Sequence, residues 1–164
     1  MIGKNLQDAM NEQINKELFS SYLYLSMATY FEGKNLSGFA NWMRVQADEE
    51  REHAMKFYDF ILECGGRVEL KAIEAPKVEW GSTLEVVEEV AAHEAKVTAS
   101  IHALYELALA EKDYPSQVML QWFITEQVEE ESNAAEVVAS MKMIEARETA
   151  VLQLDHRLSK RTAE

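Results

Sequence analysis

Glu50 and His53 lie three residues apart in a charged stretch, Glu49 to His53, that interrupts an otherwise apolar pattern. At steps of about 3.5 residues the apolar pattern continues on both sides, with Met43 before the stretch and Phe57 after it. Residues three apart project side by side from one face of a helix. A carboxylate and an imidazole in that arrangement are a ligand pair suited to a divalent metal ion.

The same interruption recurs in three further segments that have helical periodicity. The polar residues near the middle of those apolar stripes are Glu17, Glu94, Gln127 and Glu130. Taken singly, a glutamate in a helix is usually solvated and a histidine is usually packed or exposed. If the helices are of similar length and form a bundle, however, their midpoints share one level, and these side chains converge with Glu50 and His53.

Burying four carboxylates without compensation would be costly, because their charges repel and each loses its hydration. Two divalent cations would balance the four negative charges. An oxygen-rich donor set with a single imidazole suits iron or manganese better than zinc or copper. The pattern therefore predicts a dinuclear metal site inside one chain.

Three more acids adjoin these candidate ligands in sequence: Glu49, Glu126 and Glu129. They could surround a third cation beside the main pair, although a run of glutamates is also typical of a solvated helix face. Tyr24 lies two helical turns from Glu17 on the same face. Core packing is its ordinary role, and a phenol close to a metal centre can also hydrogen-bond a ligand or supply an electron.

The elements that must position these residues are long helices, since the chain contains only 2 prolines and 6 glycines in 164 residues. We predict helices over about 5–31, 38–64, 83–111, 115–147 and 149–160, with an extended crossover over 65–81. Ser37 and Ser82 are the expected N-caps of the second and third helices. The predicted fold is all-α: one domain over residues 1–164, a four-helix bundle with one long crossover and a short fifth helix.

Charge and hydropathy exclude several classes of partner. A net charge of −13 argues against nucleic acid, because nothing neutralises phosphates along a groove, and favours cations. No apolar run is long enough for a transmembrane helix, and the first residues lack the architecture of a signal peptide. With Cys64 as its single cysteine, the chain is expected in the cytoplasm.

The chain resembles the non-haem ferritins of bacteria and archaea along nearly its whole length. The matching segments are Ser20 to Ala28, Gly38 to Met43, Glu49 to Ala54, Gly65 to Val68 and Glu126 to Glu131. The resemblance implies a ferroxidase that oxidises Fe(II) with O2 or H2O2 and stores ferric mineral inside a homo-oligomeric shell of 24 subunits. Glu52 stands where the haem-ligating methionine of bacterioferritins would lie, so no haem is expected.

The resemblance also implies roles for individual residues. Glu17, Glu50 and His53 would hold the first iron, with Glu50 bridging to a second iron held by Glu94 and Glu130. Gln127 would orient, or lie next to, the ligand on the side of the centre where oxygen binds. The third iron would be held by Glu49, Glu126, Glu129 and Glu130.

Three functions other than storage are alternatives for a bundle with such a site. The main alternative is a di-iron peroxidase or oxidase that stores nothing, although the rubrerythrin type carries a cysteine-rich iron module that one cysteine cannot supply. A DNA-protecting mini-ferritin places its site between subunits and lacks a fifth helix. A purely structural bundle with vestigial acids is the third possibility.

Overall fold

The computed structural model describes residues 2–144 and 147–162 and contains five helices within those ranges. They are α1 (Lys4–Gly33), α2 (Ser37–Glu63), α3 (Thr83–Ala110), α4 (Tyr114–Ile144) and α5 (Glu148–Leu158). The predicted end of the fourth helix falls partly on 145 and 146, outside the described residues, and the backbone of Arg147 is extended. Among the described residues, no helix is long and apolar enough to cross a membrane. The predicted all-α four-helix bundle with a short fifth helix is confirmed.

The crossover between α2 and α3 runs along α1 in the direction of that helix. Near its start, the Asn11 side chain donates to the carbonyl of Arg67 at 3.0 Å and accepts from the amide of Glu69 at 2.8 Å. Further along, the hydroxyl of Ser26 donates to the carbonyl of Lys77 at 2.6 Å. The crossover therefore returns the chain to the end of the bundle where α2 began, and α3 runs parallel to α2 and antiparallel to α1.

The start of α3 is capped as predicted. The Ser82 hydroxyl accepts a hydrogen bond from the amide of Glu85 at 3.1 Å. The Glu85 carboxylate reaches back to the amide of Gly81 at 2.7 Å, so two N–H groups at this terminus are satisfied by local side chains.

The N-terminus of α2 is capped differently from the expectation. Ser37 is the first residue of the helix and makes no side-chain cap. Instead, one Asp155 carboxylate oxygen on α5 accepts the amides of Gly38 and Phe39 at 2.8 and 3.0 Å. The Ser37 prediction is wrong because a carboxylate from a distant segment reaches the free amides and also complements the positive end of the helix dipole.

Two apolar clusters fill the bundle, one toward each end. One contains Phe31, Phe39, Val87 and Met141, and the other contains Met10, Phe57, Ile101 and Phe123. Between them, each of the four long helices contributes buried polar residues at mid-length. These are Glu17, Gln46, Glu50, His53, Glu94, Gln127 and Glu130. The apolar clusters thus enclose a polar layer that the bundle must neutralise.

Candidate metal centre

Glu17, Glu50 and His53 form a compact set of donor atoms inside the bundle. One ligand atom from each lies within 4.8 Å of the others. Glu17 and Glu50 are completely buried, and His53 is 3% exposed. The Nδ1 atom of His53 lies 3.6 Å from a Glu50 carboxylate oxygen. Because α1 and α2 are antiparallel and adjacent, their mid-length residues meet at this point, as the sequence pattern predicts.

The carboxylates of this set have more acceptor capacity than the protein satisfies. Gln13 donates to one Glu17 oxygen at 2.8 Å, while the other Glu17 oxygen and both Glu50 oxygens have no hydrogen-bond partner among the described residues. Burial, followed by the charge of Glu50, raises the pKa of Glu17. Burial and then the charge of Glu94 raise the pKa of Glu50. Divalent cations would satisfy these oxygens and favour their ionised form.

Glu94 on α3 reaches the same layer and is held on both sides. The Tyr24 hydroxyl donates a hydrogen bond to one of its oxygens, and Gln127 donates to the other at 3.2 Å. Burial, with the charge of Glu130 second, raises the pKa of Glu94 to about 7. Tyr24 is itself fully buried, and burial raises the pKa of its phenol, so it remains a proton donor at neutral pH. Tyr24 therefore combines core packing with contact to a candidate ligand.

Glu130 on α4 completes the four carboxylates. It is 4% exposed, and Gln46 of α2 donates to one of its oxygens at 2.8 Å. Its charge contributes to raising the pKa of both Glu50 and Glu94. The buried acids therefore repel one another across the polar layer, and two divalent cations would relieve that repulsion.

The acids proposed for a third cation occupy different environments. Glu49 is partly buried, and Arg161 donates to one of its oxygens at 3.0 Å. Burial raises the pKa of Glu49 to about 7, with Arg161 opposing the shift. A Glu126 oxygen lies 4.0 Å from Nε2 of His53, whereas Glu129 is exposed on α4. The structure therefore brings Glu49 and Glu126 to the edge of the polar layer and leaves Glu129 at the surface.

Known proteins share this sequence and this architecture. A family model described as a ferritin-like domain matches residues 7–144. A bacterial non-heme ferritin of Bacteroides fragilis is 43% identical over 161 residues, covering 98% of this chain and 100% of the relative. The chain belongs to the ferritin family. The predicted family is confirmed, and so is the predicted enzyme class, a ferroxidase.

Solved structures of ferritins superpose on this ferritin closely. An open-pore ferritin from the archaeon Archaeoglobus fulgidus has a TM-score of 0.97 and 50% identity, with 98% of each chain covered. A closed form of the A. fulgidus ferritin, engineered by site-directed mutagenesis, has a TM-score of 0.98 and 49% identity over 100% of both chains. The likeness therefore spans the fifth helix as well as the bundle.

Three residues around the centre of this ferritin were not singled out from the sequence. Gln13 and Gln46 are buried amides that donate to Glu17 and to Glu130, and Arg161 pairs with Glu49. Gln13 could have been found, because it precedes Glu17 by four residues and therefore shares its helix face. Gln46 and Arg161 act on partners 84 and 112 residues away, and no local pattern indicates those pairings.

Proposed function

We propose that this chain stores iron by oxidising Fe(II) at a dinuclear centre within one subunit and depositing ferric mineral inside a shell of 24 copies. One observation carries the proposal: buried carboxylates of four helices converge, and three of their oxygens have no hydrogen-bond partner in the described part of the chain. Two Fe(II) ions would supply the missing positive charge. Membership of the ferritin family supports iron as the cation.

In the proposed centre each residue has one role. Glu17 and His53 hold the first Fe(II), Glu50 bridges the two ions, and Glu94 and Glu130 hold the second. Neither oxygen of the Glu50 carboxylate has a hydrogen-bond partner among the described residues, which suits contact with two ions. Gln127 donates a hydrogen bond to a Glu94 oxygen and so orients one ligand of the second ion.

The reaction requires an oxidant that accepts electrons from iron. Four Fe(II) ions reduce one O2 to two waters with uptake of four protons, or two Fe(II) ions reduce it to H2O2 with uptake of two. H2O2 is the other candidate oxidant. Carboxylates favour the Fe(III) product because they supply anionic oxygen ligands. Tyr24 keeps Glu94 in position through its hydrogen bond and lies close enough to the centre to supply an electron.

Storage further requires assembly, and the surface of one chain supports it. Several large apolar side chains are more than half exposed in the single chain: Leu70, Val78, Tyr114, Val118, Val128, Met143 and Leu152. Exposed apolar area of this kind commonly marks contacts with other subunits.

A third Fe(II) held by Glu49, Glu126, Glu129 and Glu130 is part of the proposal. One domain over residues 1–164 stays a prediction, and so does location in the cytoplasm.

Aerobic addition of Fe(II) tests the proposal. We expect fast oxidation, a particle of several hundred kilodaltons and far more iron retained than the two or three ions that the ligands of each chain can bind. The Glu50→Ala variant should lose fast oxidation, whereas Glu52→Ala, which alters an exposed acid two residues away, should not. Anomalous scattering at the iron edge from crystals soaked in Fe(II) would locate the ions.

The same titration separates storage from the alternative, a di-iron peroxidase or oxidase. Such an enzyme retains its two irons and turns over another substrate. Iron uptake that ends at two or three ions per chain would therefore contradict storage. Unchanged oxidation in Glu50→Ala would contradict the proposed centre.

A further inference from the structure

Arg161 lies beyond the end of α5, yet its guanidinium contacts the rim of the proposed iron centre. Its Nη2 atom donates to a Glu49 oxygen at 3.0 Å. The two side chains are 22% and 13% exposed, so the pair is largely shielded from water. The other arginine of this region, Arg157, pairs with Glu136 at 3.1 Å, but those side chains are 51% and 66% exposed.

The segment that carries Arg161 is fixed to α2 at two further points. Asp155 caps the first amides of α2, and the Asn41 side chain donates to the carbonyls of Leu158 and Arg161 at 3.3 and 3.0 Å. These contacts lie on the first half of α2, before Glu49. Because this segment is docked on α2, the Arg161 guanidinium is held beside Glu49. It therefore differs from the guanidinium of a mobile surface arginine.

Glu49 faces charges of both signs in this position. The Arg161 guanidinium lies 3.0 Å from one Glu49 oxygen, and the carboxylates of Glu126 and Glu130 bring negative charge to the same carboxylate. The guanidinium therefore supplies positive charge of the kind that a cation between Glu49 and its acidic neighbours would supply. One Glu49 oxygen is engaged by Arg161 and is oriented toward it.

We propose that Arg161 is a built-in counter-ion that competes with a third Fe(II) for Glu49, so that this position fills only when the guanidinium moves away. The inference rests on the proposed function, since it concerns the third cation of the same centre. It makes the third position weaker than the first two, and it gives the segment after α5 a role in how many Fe(II) ions a subunit holds.

Charge competition explains the direction of the effect. A cation at Glu49 must displace a charge-assisted hydrogen bond and approach a fixed positive charge. Removing both should tighten binding of the third ion on the order of tenfold, a factor typical of one such contact. The two inner positions should change little, because Arg161 donates to neither set of ligands.

The experiment is an anaerobic titration of the assembled, iron-free protein with Fe(II), in which isothermal titration calorimetry measures the binding. Wild type is compared with Arg161→Gln, which removes the charge, and with Arg161→Lys, which keeps it. The matched control is Arg157→Gln, because it removes the same charge from α5 at an exposed pair. We expect a weak third class of sites in wild type, about tenfold tighter in Arg161→Gln and close to wild type in Arg161→Lys and Arg157→Gln.

A second measurement does not depend on any variant folding or assembling. In wild-type crystals soaked anaerobically with Fe(II), subunits that hold a third ion should show the guanidinium displaced from Glu49. A third ion bound to Glu49 with the 3.0 Å contact intact would overturn the proposal. So would a third-class affinity that is unchanged in Arg161→Gln, or changed equally in Arg157→Gln, while the first two ions bind normally. Failure of wild type to bind the first two ions would instead refute the proposed function.

Discussion

Replacing Glu94 by glutamine should change how the stability of the metal-free protein depends on pH. Burial and the charge of Glu130 raise the pKa of Glu94 from 4.5 to about 7 in the folded protein. Between these values the folded state binds a proton that the unfolded state has released. Stability therefore falls as pH rises through this range, opposite to the usual behaviour of a carboxylate in an ion pair.

The size of the effect follows from the shift. A pKa of about 7 in place of 4.5, at roughly 1.4 kcal/mol for each pH unit between those values, gives a contribution of about 3.5 kcal/mol, most of it lost between pH 5 and pH 8. For a chain of 164 residues this corresponds to roughly 7–14 °C in the unfolding midpoint. Glutamine cannot ionise, so Glu94→Gln should lack this component of the pH dependence.

Thermal unfolding of chelator-treated protein, at one protein concentration and at several pH values from 5 to 8, measures this difference. Comparing slopes matters because glutamine accepts only one of the two hydrogen bonds from Tyr24 and Gln127, which is a loss that does not vary with pH. The comparison of slopes also removes the contribution of His93. Burial lowers the pKa of His93 to about 4, so its contribution to the stability of the protein increases as pH rises, equally in wild type and variant.

The control is Glu106→Gln, which alters an exposed acid on the same helix and should run parallel to wild type. Adding Zn²⁺, a divalent cation without redox chemistry, should stabilise wild type at pH 8 more than Glu94→Gln, because the variant keeps Glu17, Glu50 and His53 but loses one carboxylate of the second ion. Parallel pH profiles for wild type and Glu94→Gln would refute the reasoning, because they would mean that Glu94 is already ionised in the metal-free protein.

Two further changes test the surroundings of the centre. Gln13→Leu removes the hydrogen bond to Glu17 and should weaken anaerobic Fe(II) binding by roughly tenfold, the lower end of what typically follows loss of a ligand's hydrogen-bond partner; unchanged affinity in calorimetry would contradict this role. Gly38→Ala places a Cβ atom 1.7 Å from the backbone oxygen of Asp155 and should destabilise the protein by about 1–3 kcal/mol through displacement of α5. An unchanged unfolding midpoint would show that α5 adjusts freely, and Gly33→Ala, with nothing within 4 Å of the new atom, is its control.

The helices and the polar layer could be predicted because their signals are local. Apolar residues recur at helical spacing on each segment, and the acids interrupt those stripes near the middle. Equal helix lengths then place the acids at one level without any knowledge of contacts. The same holds for the Ser82 cap, whose partner lies three residues away.

The contacts made by α5 could not be predicted in this way. The cap of α2 comes from Asp155, 116 to 117 residues away, and displaced the local candidate Ser37. Similarly, the sequence makes Glu49 a neighbour of Glu50, but only the docked segment after α5 shows that Arg161 already occupies one of its oxygens. Neither pairing can be recognised from the spacing of residues along the chain.

The sequence by itself determined that four helices would present acids and one imidazole at mid-length, since helical periodicity sets which side chains share a face. It also determined the family to which the chain belongs. The tertiary structure decided which of the described carboxylate oxygens receive a hydrogen bond from the protein and which do not. That distinction depends on where Gln13, Tyr24 and Gln46 reach across the bundle, and hydrogen bonds between helices form only after the chain has packed.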